Sequence, residues 1–293
     1  MIKKFGNEVL AKLKSIGNAE FLDDRSANPV SAPFWELSFL PIGILLFRFR
    51  RFLYLSFVYA LLISVLAFAT RTAHNCSAEA AVDSFFGCSS SFSVYIAFFM
   101  LRLLIVSVFL RVWYKSAVCG APLDKGEMFV ITMRDWKIFG GILIAIAMLC
   151  LPILSYYILA DRVPNPDWRI ESLFFAVVSA GFWLPLVALR FSSIFAFVLD
   201  GRQRPPLKLF WNRTAGNTLK ILVALSLMMI LNAIMFLNYD LFAAFMIKHN
   251  LAVGMIVGDL LYNMLFLLMA ASFASDSIVQ REALFCWYAE EDE

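Results

Sequence analysis

The chain has 293 residues, 61% of them hydrophobic and 16% charged, with 30 phenylalanines and a formal net charge of +3. Soluble domains run at about 45–50% apolar and about 25% charged, so the composition excludes a water-soluble domain with ordinary polar helix faces. The net charge says nothing by itself about nucleic acid, and no nucleic-acid partner is expected.

The N-terminal segment, residues 1–51, reads as cytoplasmic and interfacial. Within Met1 to Asp24, Ile2, Phe5, Val9, Leu13 and Ile16 recur every three or four residues with lysines between them. That spacing predicts an amphipathic helix. It fits a helix lying in the membrane interface, and equally one packed on the protein's own cytoplasmic loops. No apolar core with a small-residue cleavage site is visible, so a cleavable signal peptide is not expected. Phe34 to Phe47 is a second apolar stretch, too short to cross and stopped by Arg48. It reads as an interfacial or partly re-entrant element.

Residues 52–275 hold six long apolar blocks: Phe52 to Thr70, Phe92 to Leu110, Ile138 to Ala160, Ser172 to Leu199, Ile221 to Asn238 and Leu251 to Ser275. About 20 apolar residues cross a hydrocarbon core of about 30 Å. Lipid offers the backbone no hydrogen-bond partners, so each block is expected to be a helix. The predicted fold is all-α, a polytopic bundle of six transmembrane spans preceded by the interfacial helix. Pro152 and Pro185 read as kinks within spans. Trp35, Trp113, Trp136, Trp168, Trp211 and Trp287 fall near the span ends, as interfacial belts do. Residues 276–293 read as a cytoplasmic tail ending in Glu290-Glu291-Asp292-Glu293.

Lys and Arg set the orientation. They crowd the segment before the first span and the loops after spans two and four, with Arg281 in the tail, whereas only Arg71, Arg162, Arg169 and Lys248 face the other side. The positive-inside rule places both termini in the cytoplasm. Basic residues spread over juxtamembrane loops also suit lipid-headgroup contacts. Cys76 and Cys88 share the first external loop and form a disulfide or remain free, depending on whether that side is oxidising.

A faint echo links two cytoplasmic loops at a spacing of 81 residues, Gly120 to Phe129 ahead of Trp136 and Gly201 to Phe210 ahead of Trp211. In each, glycine and proline precede a predicted short amphipathic helix that feeds the next span. The stretch Arg190-Phe-Ser-Ser-Ile-Phe-Ala-Phe-Val-Leu-Asp200-Gly201, followed by Phe210-Trp211-Asn-Arg-Thr214-Ala-Gly216-Asn217, resembles one in a group of bacterial six-span proteins. That group includes the membrane domain of some glycerophosphoryl diester phosphodiesterases, with Phe210 standing where the group has Ser. The resemblance implies a multi-pass protein of the bacterial cell inner membrane. It brings over no catalytic residues.

Two ionisable residues sit inside otherwise apolar blocks. Arg102 lies ten residues into span two and Asp259 eight residues into span six, both spans running inward, so both are expected about 12–15 Å below the external edge. A charge at that depth costs a few kcal/mol unless it finds a partner or a wet cavity. Asn263 lies one turn from Asp259, Asn232 in span five falls at a similar level, and Gly254 and Gly258 form a small-xxx-small step that suits close helix approach. The expectation is an Arg102–Asp259 pair with Asn263 and Asn232 beside it. It is either a structural lock on helix register or a site that binds an anionic group or relays protons.

No motif supports catalysis. His74 and His249 lie near the external surface, without metal-ligand spacing. No Gly-x-Ser-x-Gly elbow or phosphate-cradling glycine loop occurs. Tyr239-Asp240 and Gly258-Asp259 are similar to the paired motifs of intramembrane aspartyl proteases, but Asp240 is expected at the surface, and that chemistry needs two carboxylates in one site. The sequence therefore predicts no catalytic residues, no metal and no cofactor. It predicts a non-enzymatic scaffold or accessory subunit in envelope or lipid homeostasis, with membrane lipids and other membrane proteins as partners. The alternative is a small transporter or lipid-handling protein using the Arg102/Asp259 level.

Overall fold

A computed structural model describes residues 20–21, 34–73, 92–118, 121–122, 126–160, 189–201, 207–248 and 252–287. The expected N-terminal amphipathic helix, Cys76 and Cys88, both histidines, most of the fourth apolar block and the end of the tail lie outside these residues. The order of elements is β1 (Glu20–Phe21), α1 (Phe34–Phe47), α2 (Phe49–Ala73), α3 (Phe92–Trp113) with a π-helical turn Tyr114–Val118, α4 (Met133–Ala160), α5 (Leu189–Asp200), α6 (Leu207–Ala215), α7 (Thr218–Lys248), α8 (Ala252–Phe285) and β2 (Cys286–Trp287). Among the described residues the architecture is all-helical apart from the two-residue antiparallel pairing of β1 with β2, in which Glu20 faces Trp287. Among the described residues three stretches are long and apolar enough to cross a membrane: Phe49–Ala67, Ile96–Ser116 and Val257–Leu284. Leu37–Phe47 and Ile230–Tyr239 are shorter apolar helical stretches.

The chain divides into two compact units. One comprises Leu45–Trp136 and Met228–Phe273. Its core follows helical spacing on α2, where Phe52, Leu55, Tyr59 and Ile63 are buried while Leu53, Phe57, Leu61 and Val65 on the other face are exposed. α3 supplies the facing surface with Leu103, Val106, Phe109 and Trp113. The rings interlock edge to face, Phe52 with Trp113 at 5.8 Å and Tyr59 with Phe109 at 5.7 Å. Trp113 is therefore fully buried in this ring cluster and does not belong to the interfacial belt expected of it, whereas Trp136 is exposed. The π-helical turn widens the end of α3, and the Ser116 carbonyl there accepts Arg51 Nη1 from the start of α2.

The other unit comprises Met1–Ile44, Lys137–Leu227 and Ala274–Glu293. α5 stops at Gly201, whose φ of 74° is open to glycine at little steric cost and whose N–H caps the Phe197 carbonyl at 3.0 Å. α6 then begins at Leu207, packs against α5 through an edge-to-face pair of Phe197 and Phe210, and hands over to α7 at Asn217, whose carbonyl accepts Ile221 N–H. Gly141 on α4 meets Phe195 and Val198 of α5 at ordinary contact distance.

Two sequence expectations need revision. The echo predicts a short helix in both cytoplasmic loops; among the described residues only the second, α6, forms a separate one. The first loop turns at Gly126–Met128 and enters α4 directly. The aligned phenylalanines differ accordingly: Phe210 is buried and Phe129 exposed. The sixth block is expected to end at Ser275, yet α8 continues to Phe285, and residues 276 to 282 are buried.

Candidate functional site

Helical spacing on α8 puts Asp259, Tyr262, Asn263 and Phe266 on adjoining positions of one face. α3 brings Arg102 to that face. Arg102 Nη2 donates to Asn263 Oδ1 at 3.0 Å, and the guanidinium carbon lies 4.2 Å from the Phe266 ring centre and 5.5 Å from that of Tyr262. Asn263 Nδ2 donates in turn to Ser64 Oγ of α2 and to the Asp259 carbonyl, both at 2.9 Å. Three helices are thus joined through one buried amide. Asp259 lies within electrostatic reach of Arg102. Tyr262 is a further polar neighbour of the guanidinium, and Asn263, which the sequence placed beside the pair, takes the Nη2 hydrogen bond. Asn232 is buried on α7. That helix meets α8 through Phe236 and Tyr239 against the Tyr262 ring. Gly258 faces the Tyr239 hydroxyl, which a Cβ would meet at 3.7 Å.

A second polar centre, not anticipated from sequence, lies where α3 meets the start of α4. Arg111 is buried, and its Nε donates to Asp135 Oδ1 at 2.7 Å while Nη2 donates to the carbonyls of Glu127 (3.1 Å) and Val130 (2.8 Å). Asp135 Oδ2 accepts the backbone N–H of Thr132 at 2.6 Å and its hydroxyl at 2.8 Å. The N–H contact is the returning half of a capping box. The pattern Thr132-x-x-Asp135 ahead of an apolar run was the available signal. Ahead of α2, burial and the neighbouring Arg51 both disfavour the Arg48 cation and hold its pKa below the usual value.

A third set sits on the last turns of α8. Ser275, Asp276, Ser277, Gln280, Arg281 and Glu282 are all buried. Gln280 Nε2 donates to Asp276 Oδ2 at 2.5 Å and Arg281 Nε to Glu282 Oε1 at 3.0 Å. Asp276 Oδ1 and Glu282 Oε2 are buried without a hydrogen-bond partner among the described residues. The Arg281 guanidinium lies 5.7 Å from the Phe197 ring, and Arg213 Nη1 of α6 donates to the Leu284 carbonyl at 2.9 Å. Phe210, Arg213, Thr214 and Asn217 are all buried in this unit. Their chemistry here is packing and capping: Thr214 Oγ1 bonds the Phe210 carbonyl and Asn217 Nδ2 the Arg213 carbonyl.

Among the described residues no group of three His, Cys, Asp or Glu is placed to hold a metal ion. No protein-family model matches the chain, and no curated protein or solved structure matches it.

Proposed function

We propose that the chain is a six-span protein of the bacterial inner membrane, with both termini cytoplasmic, that acts as a non-enzymatic scaffold or accessory subunit in envelope or lipid homeostasis. Three helices meet the length and hydropathy needed to cross, and α4 and α7, with 28 and 31 residues, have the length as well. The remaining span falls to the block from Ser172 to Leu199.

One observation carries the scaffold role. Arg102 is tied into the helix packing: its Nη2 donates to Asn263 and its guanidinium lies over Phe266, Asn263 is bonded onward to Ser64, and Nε alone is buried without a partner among the described residues. That arrangement links helices and leaves Asn263, the hub, with both its oxygen and its nitrogen in use. A transport site needs polar groups that exchange partners with a substrate.

The test is purification of the intact protein in mild detergent or nanodiscs, with mass spectrometry of what accompanies it. A scaffold brings down a reproducible set of membrane proteins, and that set survives Arg102→Leu/Asn263→Leu. Absence of any reproducible protein set, together with a bound small molecule that the same variant loses, overturns the scaffold reading in favour of transport or lipid handling. Cysteine accessibility of the loops checks the six-span topology independently.

A further inference from the structure

At the junction of α3 with α4, within one unit, lies a cavity of about 380 Å³ lined by Arg111, Lys115, Glu127, Val130, Thr132 and Arg134. Three of these side chains are cations. Arg111 is committed to Asp135 and two carbonyls, and Lys115 is ion-paired with Glu127 at a half-exposed position. Arg134 differs. Its Nε and Nη2 are buried with no hydrogen-bond partner among the described residues, while its guanidinium sits 5.6 Å from the Tyr114 ring. A guanidinium presents these donors as a planar fork that matches two oxygens of a phosphate or carboxylate. Buried charged donors left unpaired cost far more than paired ones, so the site calls for an anion.

The surroundings say where that anion comes from. Phe129, Val130, Ile131 and Met133 form a nearly continuous apolar rim beside the cavity, with exposures of 62, 55, 51 and 75%. The apolar stretch Ile96–Ser116 ends at the same place. An apolar rim next to a cationic cavity at the end of a span suits a molecule with a phosphate head and acyl chains. We propose that this cavity binds the phosphate of an anionic phospholipid, with Arg134 as the principal ligand and Lys115 as the second cation. The inference rests on the membrane placement above, but not on the scaffold role.

The full chain in nanodiscs of phosphatidylcholine with a minor fraction of phosphatidylglycerol tests it, with native mass spectrometry counting retained lipid. Wild type keeps phosphatidylglycerol over phosphatidylcholine. Arg134→Gln weakens that preference about tenfold or more, the equivalent of one charge-assisted hydrogen bond, and Lys115→Gln weakens it less. Arg50→Gln, an exposed cation outside the cavity, leaves it unchanged. Melting curves in phosphatidylcholine discs show which variants fold; should Arg134→Gln fail to fold, Arg134→Lys and Lys115→Gln take its place.

Equal retention by wild type and Arg134→Gln overturns the proposal, as does an equal loss in Arg50→Gln. Thermal stabilisation by inorganic phosphate alone, matching that by phosphatidylglycerol, overturns the lipid source and assigns a soluble phosphate. Failure of the wild-type chain to enter the membrane fraction counts against the membrane placement instead, and overturns this assignment with it.

Discussion

The Arg111–Asp135 centre gives the most quantitative forecast, because every hydrogen bond in it is identified. Asp135→Leu deletes an acceptor that receives Arg111 Nε, the Thr132 N–H and the Thr132 hydroxyl. The guanidinium stays buried with two carbonyls for partners, and stranding a buried charge in this way costs about 3–5 kcal/mol. Loss of the cap at the start of α4 adds about 1 kcal/mol. Arg111→Met leaves Asp135 with both Thr132 donors, so its loss should fall near the lower end, about 3 kcal/mol. In the double variant neither charge remains, and it should be no less stable than Asp135→Leu alone. Reversible unfolding in mixed detergent micelles, followed by tryptophan fluorescence, measures all four proteins, and Trp113, buried two residues along α3, is well placed to report. Losses that add to within about 0.3–0.5 kcal/mol would show that the two side chains act independently and would refute the reasoning.

The same logic applies at membrane depth with smaller numbers. Asn263→Leu should destabilise more than Arg102→Leu, since it leaves the guanidinium without its acceptor and Ser64 without its donor; the reverse order in the same unfolding assay would contradict the hub role of Asn263. Gly201→Ala should cost about 1–2 kcal/mol because of its left-handed backbone, whereas Gly258→Ala should be nearly neutral, its added Cβ meeting only the Tyr239 hydroxyl at van der Waals distance. Paired melting temperatures decide between them, and equal shifts would be evidence against the backbone argument. Asp276→Asn should not destabilise, because a neutral amide is cheaper to bury than a carboxylate with one unpartnered oxygen; a loss above about 2 kcal/mol would mean that this oxygen is engaged.

Much of the helical layout was legible from hydropathy. Long apolar blocks at α2, α3 and α8 mark themselves because nothing else in a sequence of this kind needs them. Arg102 was legible for the complementary reason: a lone cation in such a block is expensive, so its position is informative. Its acceptor was not. Opposite charge suggested Asp259, but charge alone does not see that an amide one turn further along accepts from the guanidinium and donates to Ser64 at the same time. Trp113 misled because a tryptophan near a span end suits a belt and an interior ring cluster equally well, and only the facing Phe52 and Phe109 decide.

The end of α8 shows why polar residues mislead most. Ser275-Asp276-Ser277 and Gln280-Arg281-Glu282 lower the local hydropathy, so the apolar block ends on paper at Ser275. Yet Ile278, Val279 and Leu284, which point to different sides of the helix, are fully or almost fully buried, so the helix is enclosed all round through the same stretch. The polar side chains are held by neighbours of the same unit: Gln280 by Asp276, Arg281 by Glu282 and the Phe197 ring. Arg213 closes the helix by taking the Leu284 carbonyl, one of the last four carbonyls that a helix cannot satisfy within itself. Such an interior is specified by particular partners and not by apolar content. A hydropathy profile therefore ends where the partner-by-partner account has to begin. Arg213, Thr214 and Asn217 belong to the same account: each is buried and makes a directional bond that no apolar residue can replace.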